Sequence, residues 1–320
     1  KNLGCCLSAG MGKLPFIAIL DIGPSSSGLI SLLKDALPAD RRQEVLHFKL
    51  LMTPEYAVNP FDTQLGCRYP LPDERAYLCE LMTLICTPPG QDSPYDGMTQ
   101  LVGFCVDEMY RWRDDSEANA ETRPYLELIE PRVDDAIKKM NLVLPPEPYW
   151  WEVVDALYDA GAKHEAMLAQ RHAVPTLVDA VTAARRPQIR AFLDETAIGP
   201  SAEGVIHAFE RMIASAIREF PILAGVTRFD TGTARVASVD LQEVSPQGDA
   251  SADRQTAIMY MLARHTLIRS WWLNPDSLRN VSARYRPHHA ERLKEIREIP
   301  KRLCRWDWPG RRANRTSAAE

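Results

Sequence analysis

The sequence holds no apolar run near the roughly 20 residues needed to cross a bilayer, and its start lacks the charged, apolar and small-residue order of a secretory signal. A transmembrane or exported chain is therefore excluded as the first expectation, and a soluble cytosolic globule takes its place. Seven cysteines, Cys5, Cys6, Cys67, Cys79, Cys86, Cys105 and Cys304, form no C-x-x-C pair and no disulfide-framework spacing, so they are expected to be reduced and mostly buried. An excess of either charge sign is also small, 38 Lys and Arg standing against 43 Asp and Glu. A net charge of -5 over 320 residues gives no basic field, so composition offers no argument for direct nucleic-acid binding. No internal repeat is visible, and the histidines, His288-His289 included, lack metal-ligand spacing.

What is present is a 45% hydrophobic content, enough for one large domain or two ordinary ones. The first segment reads as strand 15–22, helix 27–37 and a second strand at 44–50, a strand-helix-strand order that predicts a parallel sheet. From Pro70 the period becomes helical for about 150 residues. Leu78, Leu81, Met82 and Ile85 share one face, and Met98, Leu101, Val102, Cys105, Met109 and Trp112 mark the next helix. Leu144-Pro145-Pro146-Glu147-Pro148 cannot continue a helix and is read as an internal linker between two helical halves.

Further helices are predicted near 151–160, 177–184 and 202–220, the last with Ser201 as its cap. The strand pattern returns at Ala234–Leu241, again closing on an acid, and a helix follows over 251–272 with Ile258, Met261, Leu262, His265 and Ile268 facing inward. The stretch 290–298 reads as a solvated helix, and 305–320 as a basic tail with nothing to bury.

The chemistry-bearing candidates sit where the predicted strands end. Asp21 and Asp240 each close a core strand, the edge at which ligands gather in open parallel sheets. Such an acid can bind a metal or orient water; equally, it can close the strand and cap the following turn. Asp240 with Glu243, three residues on, is the catalytic candidate pair, and Asp21 with Ser25 is the cofactor-binding candidate. Ser25-Ser26-Ser27 precedes a helix whose positive end attracts anions, although capping explains these serines as well. Gly23-Pro24-Ser25-Ser26-Ser27-Gly28 is not the G-x-S-x-G of a serine hydrolase. Gly10-Met11-Gly12-Lys13 fails as a phosphate loop, because Leu7 and Leu14 stand where the motif needs glycine and a hydroxyl, and Pro15 follows. No metal ligands are assigned.

Longer strings carry a resemblance. Leu14 through Ile30 and Met52 through Arg68 resemble the IcmB (DotO) branch of type IV secretion ATPases, related to TraC-type conjugation proteins. Thr227-Arg228-Phe229-Asp230, Ala234 through Glu243 and Asp253 through His265 are similar to later blocks of the same branch. The resemblance implies an α/β fold, a partial RecA-like P-loop core with a parallel sheet, interrupted by a large all-α insertion. The implied division is 1–66 and 226–304 for the core, 67–225 for the insertion and 305–320 for the tail. It further implies ATP and Mg2+ as cofactors of the parent, a homo-oligomer (hexameric in the parent), other secretion-system subunits as partners, and a bacterial cytoplasmic location at the inner membrane. The family's phosphate loop would precede Lys1, so the chain reads as an internal fragment. The family's Asp-Glu pair would follow Cys304, where this chain has Arg305-Trp306-Asp307-Trp308. Without those parts the chain is expected not to hydrolyse ATP by itself, and a non-catalytic scaffold is the alternative.

Overall fold

A computed structural model describes residues 14–118, 120–193, 197–198, 203–229, 234–279 and 281–305. In chain order the elements begin with β1 (Phe16–Asp21), α1 (Ser27–Ala36) and β2 (Val45–Lys49). A helical series follows: α2 (Pro72–Ile85), α3 (Met98–Arg113), α4 (Pro131–Lys139), α5 (Trp150–Asp159), α6 (Lys163–Ala173), α7 (Asp179–Ala184) and α8 (Pro187–Leu193). The two-residue strands β3 (Ala197–Ile198) and β4 (Glu203–Gly204) pair antiparallel before α9 (Val205–Glu219). The chain closes with β5 (Val236–Asp240), α10 (Ala250–Ile268), α11 (Arg286–Glu298) and β6 (Lys301–Arg305).

Two compact units divide these elements. One comprises Lys1–Leu51, Thr231–Trp271 and Ile296–Glu320; the other comprises Met52–Asp230 and Trp272–Glu295. The divisions fall at Leu51 and Asp230 where the sequence placed them at 66 and 225, so 52–66 and 272–295, both placed by the sequence in the α/β part, group with the helices.

In the first unit a four-stranded parallel sheet has the order β2-β5-β1-β6. β1 and β5 occupy the centre and are buried at every position, which is why they read as continuous apolar runs without alternation. Ile17, Ile19, Val45 and Val236 form a core with Ile30 and Leu33 of α1, while Phe16 meets Trp271, ring centroids 6.0 Å apart, after α10. Of the inward positions expected on α10, Ile258, Leu262 and Ile268 are buried; Met261 and His265 are only half-buried.

The second unit is built on helix faces that follow the 3.6-residue period. Leu78, Leu81, Met82 and Ile85 of α2 are buried, as are Met98, Leu101, Val102, Cys105 and Met109 of α3. Truncating one such Leu or Met to Ala costs about 2–5 kcal/mol. α2 starts where the sequence says it should: Pro72 occupies its first turn, and Glu74 reaches back to accept from the Leu71 amide at 2.9 Å. The proline segment 144–148 does separate α4 from α5, but it does not split the unit. The Tyr125 amide donates to the Pro148 carbonyl, and the Trp150 amide to the Arg123 carbonyl, which fastens the segment to the preceding loop. Ser201 lies outside the described residues, and the residue capping α9 is Gly204; Val205, Ile206, Phe209, Met212, Ile213 and Ala216 are buried along the helix, while Ile217 is only half-buried. Cys67, Cys86 and Cys105 are buried, Cys79 and Cys304 are half-buried, and none of these five forms a disulfide among the described residues.

Candidate functional site

Asp21 and Asp240 are register partners on the adjacent central strands, with Lys49 of β2 next in the row. They are 0% and 2% exposed. Burying two carboxylates side by side is expensive unless donors satisfy them, and the turns leaving the strands supply those donors. The Ser25 hydroxyl reaches Asp21 Oδ2 at 2.7 Å and Oδ1 at 2.8 Å, and the Ser26 amide donates to Oδ2 at 2.7 Å. Asp240 Oδ1 accepts from the Gly23 amide and the Gln242 amide, each at 2.9 Å. The first of these depends on backbone geometry. Gly23 sits at φ 108° and ψ 179°, a region essentially reserved for glycine, and this turns its N–H back toward the neighbouring strand.

The structure therefore brings together three of the four sequence candidates, Asp21, Ser25 and Asp240. Glu243 is exposed in the short turn Gln242–Val244, and no hydrogen bond or ion pair joins it to Asp240 among the described residues. Ser25 spends its only proton on Asp21, and the histidine at this edge does not serve it: His47 Nδ1 lies 3.3 Å from the Ser238 hydroxyl, which in turn meets Ser26 Oγ at 2.6 Å. Ser238 is fully buried, so this chain of hydroxyls ties β5 to the start of α1 instead of presenting a nucleophile.

These residues do not fit magnesium-bound ATP by themselves. A phosphate cradle needs free amide donors and a cation, whereas the Gly23, Ser26 and Gln242 amides already donate to two carboxylates that would repel phosphate. Among the described residues no group of three His, Cys, Asp or Glu side chains is placed to hold a metal ion. Gly10-Met11-Gly12-Lys13 and Asp307 lie outside the described residues.

A second polar centre, which sequence reasoning missed, lies within the helical unit. A cleft of about 780 Å3 opens beside Arg68. The guanidinium lies 4.3 Å over the Trp151 ring and donates to Asp115 Oδ1 at 2.9 Å and to Asp155 at 3.2 Å. Asp155 also takes the Tyr285 hydroxyl and Arg284. Burial, then the Asp155 bond, pushes the Tyr285 phenol well above its ordinary pKa, and burial drives the Cys67 thiol up to about 12. Burial, with Asp114 and Glu117 nearby, likewise raises Tyr69. Arg68 stands 47 residues from Asp115 and 87 from Asp155, so no local spacing could have exposed this centre.

No protein-family model, curated protein or solved structure matches this chain.

Proposed function

We propose that the chain is a part of a motor ATPase of the IcmB (DotO) and TraC kind, whose RecA-like core includes β1, β2, β5 and β6 and whose helical insertion is the Met52–Asp230 body. One observation carries the reading. The two strands that close on buried acids, Asp21 and Asp240, are parallel neighbours although the stretch Met52–Asp230 of the helical unit separates them in sequence. An interrupted core of this kind is what the resemblance implies. In this reading the parent is a homo-oligomer at the cytoplasmic side of a bacterial inner membrane, working with other secretion-system subunits, and ATP with Mg2+ belongs to the parent.

The chain alone is a non-hydrolysing part. Phosphoryl transfer needs positioned amides, a lysine and magnesium around the γ-phosphate, and the amides at this sheet edge are already committed. The same commitment favours the second reading, a scaffold module of a secretion complex. Phosphate release from Mg-ATP by the purified chain is expected to match the blank; turnover abolished by Asp240→Asn or Glu243→Gln would overturn this. The coding sequence ahead of Lys1 tests the family assignment: a G-x-x-x-x-G-K-[ST] block supports the motor, and a stop codon or unrelated domain refutes it.

A further inference from the structure

One charge in the Arg68 cleft has no counter-charge among the described residues. Asp114 lines the cleft, is 4% exposed and follows directly on the last residue of α3. Its Oδ1 accepts from the Ser116 amide at 2.9 Å and the Ser116 hydroxyl at 2.8 Å. Among the described residues no donor reaches Oδ2 and no cation pairs with the carboxylate. The neighbouring charges are consumed elsewhere. Arg68 is held by Asp115 and Asp155, Arg75 by Asp107, and Asp276 by Arg279. Of the arginines in the last turn of α3, Arg111 pairs with Glu108 and Arg113 with Asp179.

The position makes the charge costlier still. The carboxyl end of a helix carries partial negative charge and favours a cation, so a buried acid there is opposed both by desolvation and by the helix dipole. The wall around it sets the kind of cation. No third carboxylate, histidine or cysteine is placed to complete a metal site among the described residues. Tyr69, Pro70, Leu71 and Pro72 line one side and suit an alkyl shaft, while the Ser277 and Ser282 hydroxyls can accept N–H bonds.

We propose that this cleft binds an organic cation, an alkylammonium or guanidinium group on an apolar shaft, with Asp114 as its counter-ion. Such a group belongs to a free polyamine or to a lysine or arginine side chain of a bound peptide. Titration calorimetry on the full chain uses spermidine, a capped Gly-Arg-Gly peptide and its Gly-Gln-Gly control. At least one charged probe is expected to bind saturably, more weakly as salt is added, while the glutamine peptide does not. Spermidine alone binding assigns the site to free polyamines; binding of the arginine peptide assigns it to side chains.

Asp114→Asn keeps the Ser116 bonds and is expected to weaken binding at least about tenfold while raising the melting temperature of the unliganded protein. Ser282→Trp, at an exposed position of the wall, is expected to abolish binding by filling the cleft. Three results each overturn the proposal: no charged probe binding at millimolar concentration, unchanged affinity in Asp114→Asn, or a lowered melting temperature in that variant.

Discussion

Gly66→Ala offers a sharp test of how the helical unit is locked. Gly66 lies at φ 76°, and a Cβ there would stand 2.2–2.4 Å from three carbons of the Tyr285 ring. The left-handed conformation alone costs a non-glycine residue about 1 kcal/mol. The ring has nowhere to retreat, because Tyr285 is 1% exposed and its hydroxyl is bound to Asp155. Displacing it adds about 1–3 kcal/mol of overpacking strain and weakens a bond to a charged acceptor. A total of about 3–5 kcal/mol follows, read as a shift of the urea midpoint by near-ultraviolet circular dichroism. Tyr285→Ala costs about 3–5 kcal/mol by itself. In the double variant the added methyl meets empty space, so the combined loss should fall short of the sum by about 1–3 kcal/mol. A Gly66→Ala loss under about 1 kcal/mol, or strict additivity, would refute the argument.

Two further outcomes rest on polar groups. Asp240→Ala removes the acceptor of the Gly23 and Gln242 amides and should cost about 2–4 kcal/mol, whereas Asp240→Asn, which keeps a carbonyl oxygen, should cost clearly less; equal losses by chemical denaturation would show that the two amides do not depend on this side chain. Acidification should destabilise the helical unit. Burial, joined by Arg228, Arg123 and Arg171 and opposed by Glu130, lowers the His172 pKa to about 4 from 6.5. The unfolded chain therefore binds the extra proton first, and the stabilisation from keeping His172 neutral is present above pH 6.5 and is lost as pH falls toward 4. His172→Gln should flatten that decline in a series of melts across the window; an unchanged slope would contradict it.

Much of the fold was legible because its signals are local. Apolar runs closing on Asp21 and Asp240 gave the central strands, and the buried faces of α2, α3 and α9 followed from helical spacing. The sheet order was not legible, since pairing β2 with β5 and leaving β1 between β5 and β6 depends on contacts across nearly the whole chain. The prolines at 145–148 misled as a boundary, because proline stops a helix without saying whether the flanking pieces pack together. The site was half legible. The buried acids could be named, but the partners that neutralise them are backbone amides placed by the Gly23 turn, and a sequence does not display where an amide points. Asp114, without a cation among the described residues, was invisible for the same reason: its isolation is defined by where Arg68, Arg75, Arg111 and Arg113 spend their charges.

The strand order also bears on how the chain is made. Among the described residues β2 pairs only with β5, and β1 only with β5 and β6, so both early strands leave the ribosome with their hydrogen-bonding edges unmet. The Gly23 amide waits 217 positions for its acceptor. At ~5–20 residues per second, that is an interval of roughly 10–40 s in which nascent apolar strands must be shielded while the helical body assembles. Holding chaperones, and a sensitivity of yield to translation speed, follow from a sheet whose first two strands wait for a central partner, β5, made long after them.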